Sequence, residues 1–403
     1  MTTDFARLRV DTVGSLLRPE KLKLAFEARS RGDISAAELS READAAIAGV
    51  VKRQEALGLP FATDGELRRL TFMESFSGVA GLEAWIDELA AFTTGLHGIV
   101  GDAYGVPSGG AVLPARSGAP ADEPGTGRRA DPSQEVRRPV GSRLRLLNNR
   151  PLFEYWHVRE LTGLPASVTL LNPDRVVEGF DAQGSREFYA DEEEFLADVV
   201  RVQRRVVEGL VAEGCRYIHI DGPSYTSYVD DRAVAAMRAK GIDPRAKLER
   251  AIEADNAVIA GFPDVTFGIH ICRGNRESRW HREGHYDEIA ERLFTGLNHQ
   301  RLLLEYDTER AGSFAPLRFV PEGKVAVLGV ISSKVPEQES VEDIERRVEE
   351  ATGWLPVERL AISPQCGFAS VLQGNRLTED DQWRKLETML AAAARIWPEG
   401  GAR

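Results

Sequence analysis

Short apolar runs rich in Val, Ile and Leu recur along the chain, and turn-forming residues separate them. Runs of this kind are typical of buried β-strands. The sequence contains eight of them, at residues 8–13 (LRVDTV), 59–63 (LPFAT), 167–171 (SVTLL), 216–220 (RYIHI), 265–271 (VTFGIHI), 302–306 (LLLEY), 324–331 (KVAVLGVI) and 360–364 (LAISP).

Longer segments between these runs carry apolar residues at every third or fourth position, which is the period of an amphipathic helix. Such segments lie at residues 191–214, 286–294, 340–354 and 380–397. Strands that alternate with helices favour a parallel sheet with crossover helices. Eight such units predict an α/β fold, a (β/α)8 TIM barrel, and we expect residues 1–403 to form a single domain.

Residues 95–142 interrupt this pattern after the second predicted strand. They are dense in Gly, Pro, Ser and Asp, so we expect a long loop insertion in the barrel. A plain surface loop is one interpretation. A lid over the barrel mouth is the other, because long loops in compact domains are often functional.

Composition narrows the class of protein. The chain has 51 Lys and Arg against 63 Asp and Glu, for a net charge of −12, and its basic residues form no stripe, which argues against a nucleic-acid partner. No apolar run is long enough to cross a membrane, and the first residues do not resemble a signal peptide. Three widely spaced cysteines argue against a disulfide framework. We therefore expect a cytoplasmic protein.

Polar side chains follow nearly every predicted strand. In a TIM barrel the C-terminal strand ends meet at one rim, where the active site lies. These positions are occupied by Gly14, Ser15, Asp64, Glu66, Asn172, Asp221, His270, Cys272, Glu305, Asp307, Ser332, Lys334 and Cys366. Side chains that are remote in sequence are therefore expected to converge at one mouth.

An H-x-C pair, His270 and Cys272, ends the fifth predicted strand. Zinc sites combine cysteine sulfur, histidine nitrogen and carboxylate oxygen. Glu305 and Cys366 follow the sixth and eighth strands, so the four side chains are candidate ligands of one ion. The alternative for each cysteine is a small buried apolar side chain.

Other interpretations of nearby residues stay open. Glu305 has an ion pair with Arg310 or Arg273 as its alternative, and Asp307 is a rival ligand. Cys215 precedes the fourth strand and is predicted to lie in the core. His219 lies within that strand and is predicted to be a hydrogen-bonded histidine inside the barrel rather than a ligand.

Six ordered motifs resemble the catalytic barrel of cobalamin-independent methionine synthase, and they are most similar to its single-barrel relatives. The resemblance covers residues 8 to 397 except for the Gly/Pro-rich insertion. The motifs are VGSLLRP (13–19), TDGE (63–66), HIDGPS (219–224), HICRGN (270–275), LEYD (304–307) and SPQCGF (363–368).

This resemblance implies a single catalytic domain that transfers a methyl group from a folate to a zinc-bound thiol, most simply homocysteine, to give methionine. One zinc ion per chain would be held by His270, Cys272, Glu305 and Cys366. Coordination to zinc deprotonates a thiol and makes it nucleophilic. We expect the incoming thiol to displace Glu305.

The resemblance also implies that Ser15, Glu66 and Asp221 bind the homocysteine backbone. Glu66 and Asp221 offer two negative charges to an ammonium group, and we expect them to act in catalysis through this contact. An ordinary ion pair with Arg68 or Arg69 is the alternative for these carboxylates.

The methyl-donor side departs from the family pattern. The family has a histidine after strand seven that assists proton delivery, and Ile331 occupies that position here. Ser332, Ser333 and Lys334 are candidates to contact a methylfolate or a different donor, and Lys334 is also compatible with a charge on the barrel rim. The thiol acceptor is therefore better supported than the donor.

Three other functions compete with homocysteine methylation. A zinc enzyme similar to epoxyalkane:coenzyme M transferases would place a cationic pocket, built from Arg18, Arg273 or Arg276, around a sulfonate. A decarboxylase on the same barrel would bind a tetrapyrrole without metal. A zinc-binding or thiol-sensing protein would hold metal without turnover. Self-association into a homo-oligomer stays open.

Overall fold

The protein is described by a computed structural model over residues 4–105 and 137–398. Its central element is a sheet of six parallel strands, in which neighbours in the sheet are also neighbours in sequence. Two short strands pair separately and antiparallel. In chain order the strands are β1 (Val79–Ala80), β2 (Arg145–Leu146), β3 (Val168–Leu171), β4 (Tyr217–Asp221), β5 (Thr266–Ile271), β6 (Arg301–Glu305), β7 (Val325–Ile331) and β8 (Leu360–Pro364).

Helices connect the strands and cover the sheet. They are α1 (Glu20–Arg31), α2 (Ala36–Leu57), α3 (Glu83–Thr94), α4 (Arg150–Leu161), α5 (Pro173–Glu178), α6 (Glu192–Ala212), α7 (Asp231–Ala239), α8 (Pro244–Ile259), α9 (Ala290–Gly296), α10 (Val341–Thr352) and α11 (Glu379–Ile396). The segments predicted as helices at 191–214, 340–354 and 380–397 correspond to α6, α10 and α11. The segment 286–294 divides into a 3₁₀ turn, Tyr286–Glu288, and the first part of α9.

The first two predicted strands close the sheet into a barrel. Val10 forms a parallel bridge with Ile362 of β8, and Ala62 forms one with Ala166, just before β3. The segments that follow these bridges also meet, because the backbone N–H of Leu16 donates to the carbonyl of Gly65 at 2.9 Å. The predicted TIM-barrel fold is therefore confirmed.

The prediction of eight regular strands is wrong for these two runs, which make isolated bridges instead of ladders. Pro60 has no N–H to donate, so a ladder cannot continue through it. In the first run, Asp11 turns its carboxylate into the barrel and pairs with side chains there. Both segments occupy the strand positions of the barrel with fewer backbone bonds.

Most of the predicted insertion at 95–142 lies outside the described residues, which omit 106–136. Before the gap a 3₁₀ turn spans Asp102–Tyr104. After the gap the chain returns to pair β2 with β1, with Val79 opposite Leu146. The lid interpretation therefore stays a prediction.

A buried ionic network lies inside the barrel near the N-terminal strand ends. Asp11 accepts hydrogen bonds from Tyr217 at 2.5 Å and from Nε of Arg301 at 3.0 Å, and it contacts His219 at 3.1 Å. Burial alone would raise the pKa of Asp11, but Arg301 and His219 lower it further than burial raises it. Asp11 is therefore an anion, and the prediction of a hydrogen-bonded His219 is confirmed.

None of the helices in the two described ranges is both long enough and apolar enough to span a bilayer.

We predict that Asp11→Ala destabilises the fold by about 3–5 kcal/mol, because it leaves the buried guanidinium of Arg301 without its carboxylate. Urea unfolding followed by circular dichroism measures this loss. Asp33→Ala is the matched control, since it removes an exposed carboxylate that also pairs with an arginine, Arg31, at 2.8 Å. An exposed pair contributes little, so equal losses in the two variants would contradict the prediction.

Candidate functional site

Three of the predicted metal ligands meet at the C-terminal rim of the barrel. His270 lies one residue before the end of β5, Cys272 follows β5 directly, and Cys366 follows β8. Their donor atoms all lie within 4.8 Å of one another. Strands β6 and β7 separate β5 from β8 in the sheet, so the curvature of the barrel brings Cys366 to the H-x-C pair.

These three side chains are suited to a zinc ion. His270, Cys272 and Cys366 are 1%, 2% and 5% exposed. Neither ring nitrogen of His270 has a hydrogen-bond partner in the described part of the chain, and a buried polar group without a partner is costly unless it binds a ligand. Two sulfurs and one imidazole nitrogen are donors that zinc prefers. The residues present therefore fit this metal.

The two thiols of the site differ in acidity. Interaction with the Cys272 thiol holds the pKa of Cys366 well below its usual range, and His270 and Lys334 act in the same direction. The pKa of Cys272 is raised by its interaction with Cys366 and by burial. The backbone N–H of Gly274 also donates to the Cys272 sulfur at 3.4 Å. One of the two sulfurs is therefore readily an anion, which is the form that binds metal.

Glu305, the last residue of β6, is not a member of this three-donor group. Its Oε1 accepts a hydrogen bond from Nη2 of Arg310 at 2.6 Å, and its Oε2 accepts one from the backbone N–H of Arg273 at 2.6 Å. Burial would raise the pKa of Glu305, but Lys334, Arg273 and Arg310 together lower it to about 2. The ion pair expected as the alternative for Glu305 is thus present, and the carboxylate lies beside the donor group.

Two further carboxylates lie beside the three-donor group. Asp221 ends β4 and is paired in register with His270 on β5. Burial raises its pKa to about 7; Cys366 and Glu66 act in the same direction, while His270 opposes them. Burial also raises the pKa of Glu66, with a contribution from Cys366. Within residues 4–105 and 137–398, Oδ1 of Asp221 has no hydrogen-bond partner. The two carboxylates therefore favour a positively charged ligand group.

The loop around Ser15 joins Glu66 to the segment after Cys366. The Ser15 hydroxyl accepts a hydrogen bond from the backbone N–H of Ala369 at 3.2 Å. Gly14 has a φ of 57°, and a Cβ atom there would lie 2.7 Å from Oε1 of Glu66. Only glycine tolerates both the backbone conformation and this close approach. Ser15 is thus at the mouth as predicted, although its hydroxyl already has a partner within the protein.

Glu66 lies beside a buried ion pair, Arg69 with Glu154, that the sequence did not indicate. Nε of Arg69 donates to Oε1 of Glu154 at 2.8 Å, and Nη1 of Arg69 lies 3.5 Å from Oε1 of Glu66. The ion pair of Glu66 with Arg69 was expected as an alternative. Glu154 was missed because it lies in α4, where a single acidic residue in an ordinary helical pattern carries no signal of burial.

The end of β7 and the segment that follows it contain the apolar Ile331 and the buried cation Lys334. Lys334 is 5% exposed, and its Nζ has no hydrogen-bond partner among the described residues. It is therefore buried next to the site instead of lying exposed on the rim. Ile331 ends β7 and belongs to the apolar core, so its side chain offers no proton donor at the position of the family histidine.

The chain is similar to known proteins over nearly its whole length. The family described as "Cobalamin-independent synthase, Catalytic domain" matches residues 168–395. The Bacillus subtilis protein YxjH is 33% identical over 396 residues, which cover 97% of this chain and 95% of YxjH. The methionine synthase of Pyrococcus abyssi is 22% identical over 365 residues, covering 90% of this chain and 86% of that protein.

A solved structure has the same fold. The putative vitamin-B12 independent methionine synthase from Listeria monocytogenes superimposes with a TM-score of 0.68 at 26% identity, over 98% of this chain and 99% of that chain. The family match covers more than half of the present sequence, and it includes both the H-x-C pair and Cys366. The chain belongs to the cobalamin-independent methionine synthase family.

Proposed function

We propose that this protein is a zinc-dependent methyltransferase that transfers a methyl group to the thiol of homocysteine, from a methylfolate or another donor. The observation that carries the proposal is the convergence of His270, Cys272 and Cys366 beside the carboxylates of Glu66, which is buried, and Asp221, which is half-buried. Membership of the family supports methyl transfer. In this proposal the whole chain acts as one catalytic domain with one zinc ion.

A bound zinc ion would act as a Lewis acid that keeps a coordinated thiol deprotonated at neutral pH. His270, Cys272 and Cys366 would hold the ion, and Glu305 is the remaining candidate ligand. The protein would also provide a site with little access to water. The low exposure of all four side chains keeps water away from the reacting sulfur and strengthens the electrostatic interactions there.

Glu66 and Asp221 would select the amino-acid part of the thiol. Glu66 is buried and Asp221 is half-buried, and the desolvation that raises their pKa values would be offset by an ammonium group between them. In this role they bind and orient homocysteine so that its sulfur faces the three donors. The loop of Ser15 would line the site beside Glu66 through its backbone, since the Ser15 hydroxyl is already bonded to Ala369.

The geometry gives less support to a sulfonated thiol such as coenzyme M. The guanidinium of Arg18 donates to the carbonyls of Glu66 at 2.8 Å and Ala369 at 3.2 Å. That of Arg273 donates to the carbonyl of Gly284 at 2.6 Å. Both cations therefore hold loops in place, and a sulfonate would have to break these bonds to reach them.

The metal centre makes a direct prediction about bound zinc. Purified wild-type protein should contain about one zinc ion per chain, and Cys366→Ser should lose most of it, because one of three soft donors is removed. Plasma emission spectrometry on dialysed samples measures this content. Cys215→Ser is the control, since Cys215 is equally buried but precedes β4 at the other end of the barrel. Wild-type protein without zinc would contradict the proposal.

The carboxylate pair makes a prediction about the thiol. In cobalt-substituted protein, the thiolate-to-metal absorption should report tighter binding of homocysteine than of 4-mercaptobutyrate, which lacks the amino group. Asp221→Asn should reduce this preference by about 10- to 100-fold, the value of a lost charge-assisted hydrogen bond of about 1.5–3 kcal/mol.

Asp255→Asn is the matched control for this experiment. Asp255, in α8, is a buried aspartate whose pKa burial also raises to about 7, but its Oδ2 already accepts hydrogen bonds from Tyr225 at 2.5 Å and from Asn172 at 3.5 Å. The control should keep the preference for homocysteine. An equal preference in wild type and Asp221→Asn would show that Asp221 does not bind the amino group.

A further inference from the structure

Glu305 is held away from the other predicted ligands by a specific pair of hydrogen bonds. Nη2 of Arg310 bonds one carboxylate oxygen and the backbone N–H of Arg273 bonds the other, each at 2.6 Å. Arg310 is the side-chain member of this pair, so a movement of its guanidinium releases Oε1 without any change in the backbone. Bonds of this kind between ionised groups are strong and directional.

A second carboxylate, that of Asp307, lies close to Arg310. Oδ1 of Asp307 lies 3.7 Å from Nη2 of Arg310 and has no hydrogen-bond partner among the residues that the structure describes. The other oxygen, Oδ2, accepts a bond from the Ser332 hydroxyl at 2.9 Å, which fixes the orientation of the group. Arg310 is therefore placed between two buried carboxylates, bonded to Glu305 and within a short shift of Asp307.

The surroundings of Arg310 allow that shift. Its guanidinium lies 4.5 Å from the ring centroid of Trp280, whose Nε1 donates to Glu283 at 3.0 Å and so holds the ring in place. A planar guanidinium can slide over an aromatic face and keep most of the cation–π attraction. Movement from Glu305 to Asp307 thus preserves both a carboxylate partner and the stacking contact.

We propose that Arg310 is a positioning residue that exchanges between Glu305 and Asp307, and so decides whether Glu305 joins His270, Cys272 and Cys366 as a metal ligand. The inference rests on the proposed metal centre and adds to it a control of the fourth ligand. While Arg310 holds Glu305, the two cysteine thiolates would balance the charge of a divalent ion. Glu305 would then not compete with a substrate thiolate for that ion.

Three variants of the full-length protein test this exchange, with Co²⁺ as the probe metal. Arg310→Met keeps an unbranched apolar side chain beneath Trp280 but removes the guanidinium, so it cannot hold Glu305. It should bind Co²⁺ about tenfold more tightly in competition with a chelator, change the visible d–d spectrum, and bind homocysteine more weakly. Asp307→Asn should shift all three readouts in the opposite direction. Arg310→Lys keeps a charged donor and should lie closer to wild type.

The variant Lys334→Met distinguishes two effects of Arg310, its hydrogen bond to Glu305 and its positive charge. Lys334 also lowers the pKa of Glu305 but makes no hydrogen bond to it in the described structure, so this variant removes a nearby charge without releasing the carboxylate. In a Glu305→Gln background the effect of Arg310→Met on Co²⁺ affinity should shrink to the size of the Lys334→Met effect, which is that of a removed charge and should be the same in both backgrounds. An effect of Arg310→Met that is as large in the Glu305→Gln background as with the native Glu305 would overturn the inference, because it would then act through charge alone.

The experiment also separates the two proposals. If wild type binds Co²⁺ and Cys366→Ser does not, the metal centre stands, and identical affinities and spectra for wild type, Arg310→Met and Asp307→Asn would then overturn the exchange alone. If wild type binds no Co²⁺, the proposed function fails and the exchange fails with it.

Discussion

The parallel register of six consecutive strands is the constraint on which the site depends. Parallel strands that follow one another around a barrel all place their carboxyl ends on one rim. Register then decides which side chains face the interior there, as in the pairing of Asp221 with His270. A slip of β5 by one residue would turn His270 away and present Ile271 instead. The set of side chains at the rim is therefore determined by the pairing register along the whole length of the strands.

Buried carboxylates at the rim fall into two groups, which differ in the partner that the protein provides. Burial raises the pKa of Asp64 and of Asp221 to about 7, because Arg69 near the first and His270 near the second offset only part of this effect. Glu305, on the opposite side, is bonded to Arg310, and its pKa is about 2. The first group gains from a cationic ligand and the second is already satisfied. The rim thus separates carboxylates that lack a bonded cation from one that is already paired with an arginine.

Sequence periodicity predicted the six central strands and the helices α6, α10 and α11 closely, because each depends on local composition. It failed at residues 8–13 and 59–63, because Pro60 lacks the N–H that a ladder needs and because Asp11 pairs with side chains that only the closed barrel brings near it. The donors His270, Cys272 and Cys366 were predictable from strand ends. The state of Glu305 was not, since an ion pair with Arg310 and a place among the ligands look alike in sequence. Glu154 left no signal at all.

Gly14 and Glu66 illustrate how a missing side chain can fix the position of a charge. The carboxylate of Glu66 occupies the volume that a Cβ at position 14 would need, 2.7 Å from its Oε1. The positive φ of Gly14 strains any other residue at this position, so a shorter acid at position 66 would not by itself make room for a side chain at position 14. The location of one negative charge on the rim thus depends on a residue that has no side chain of its own.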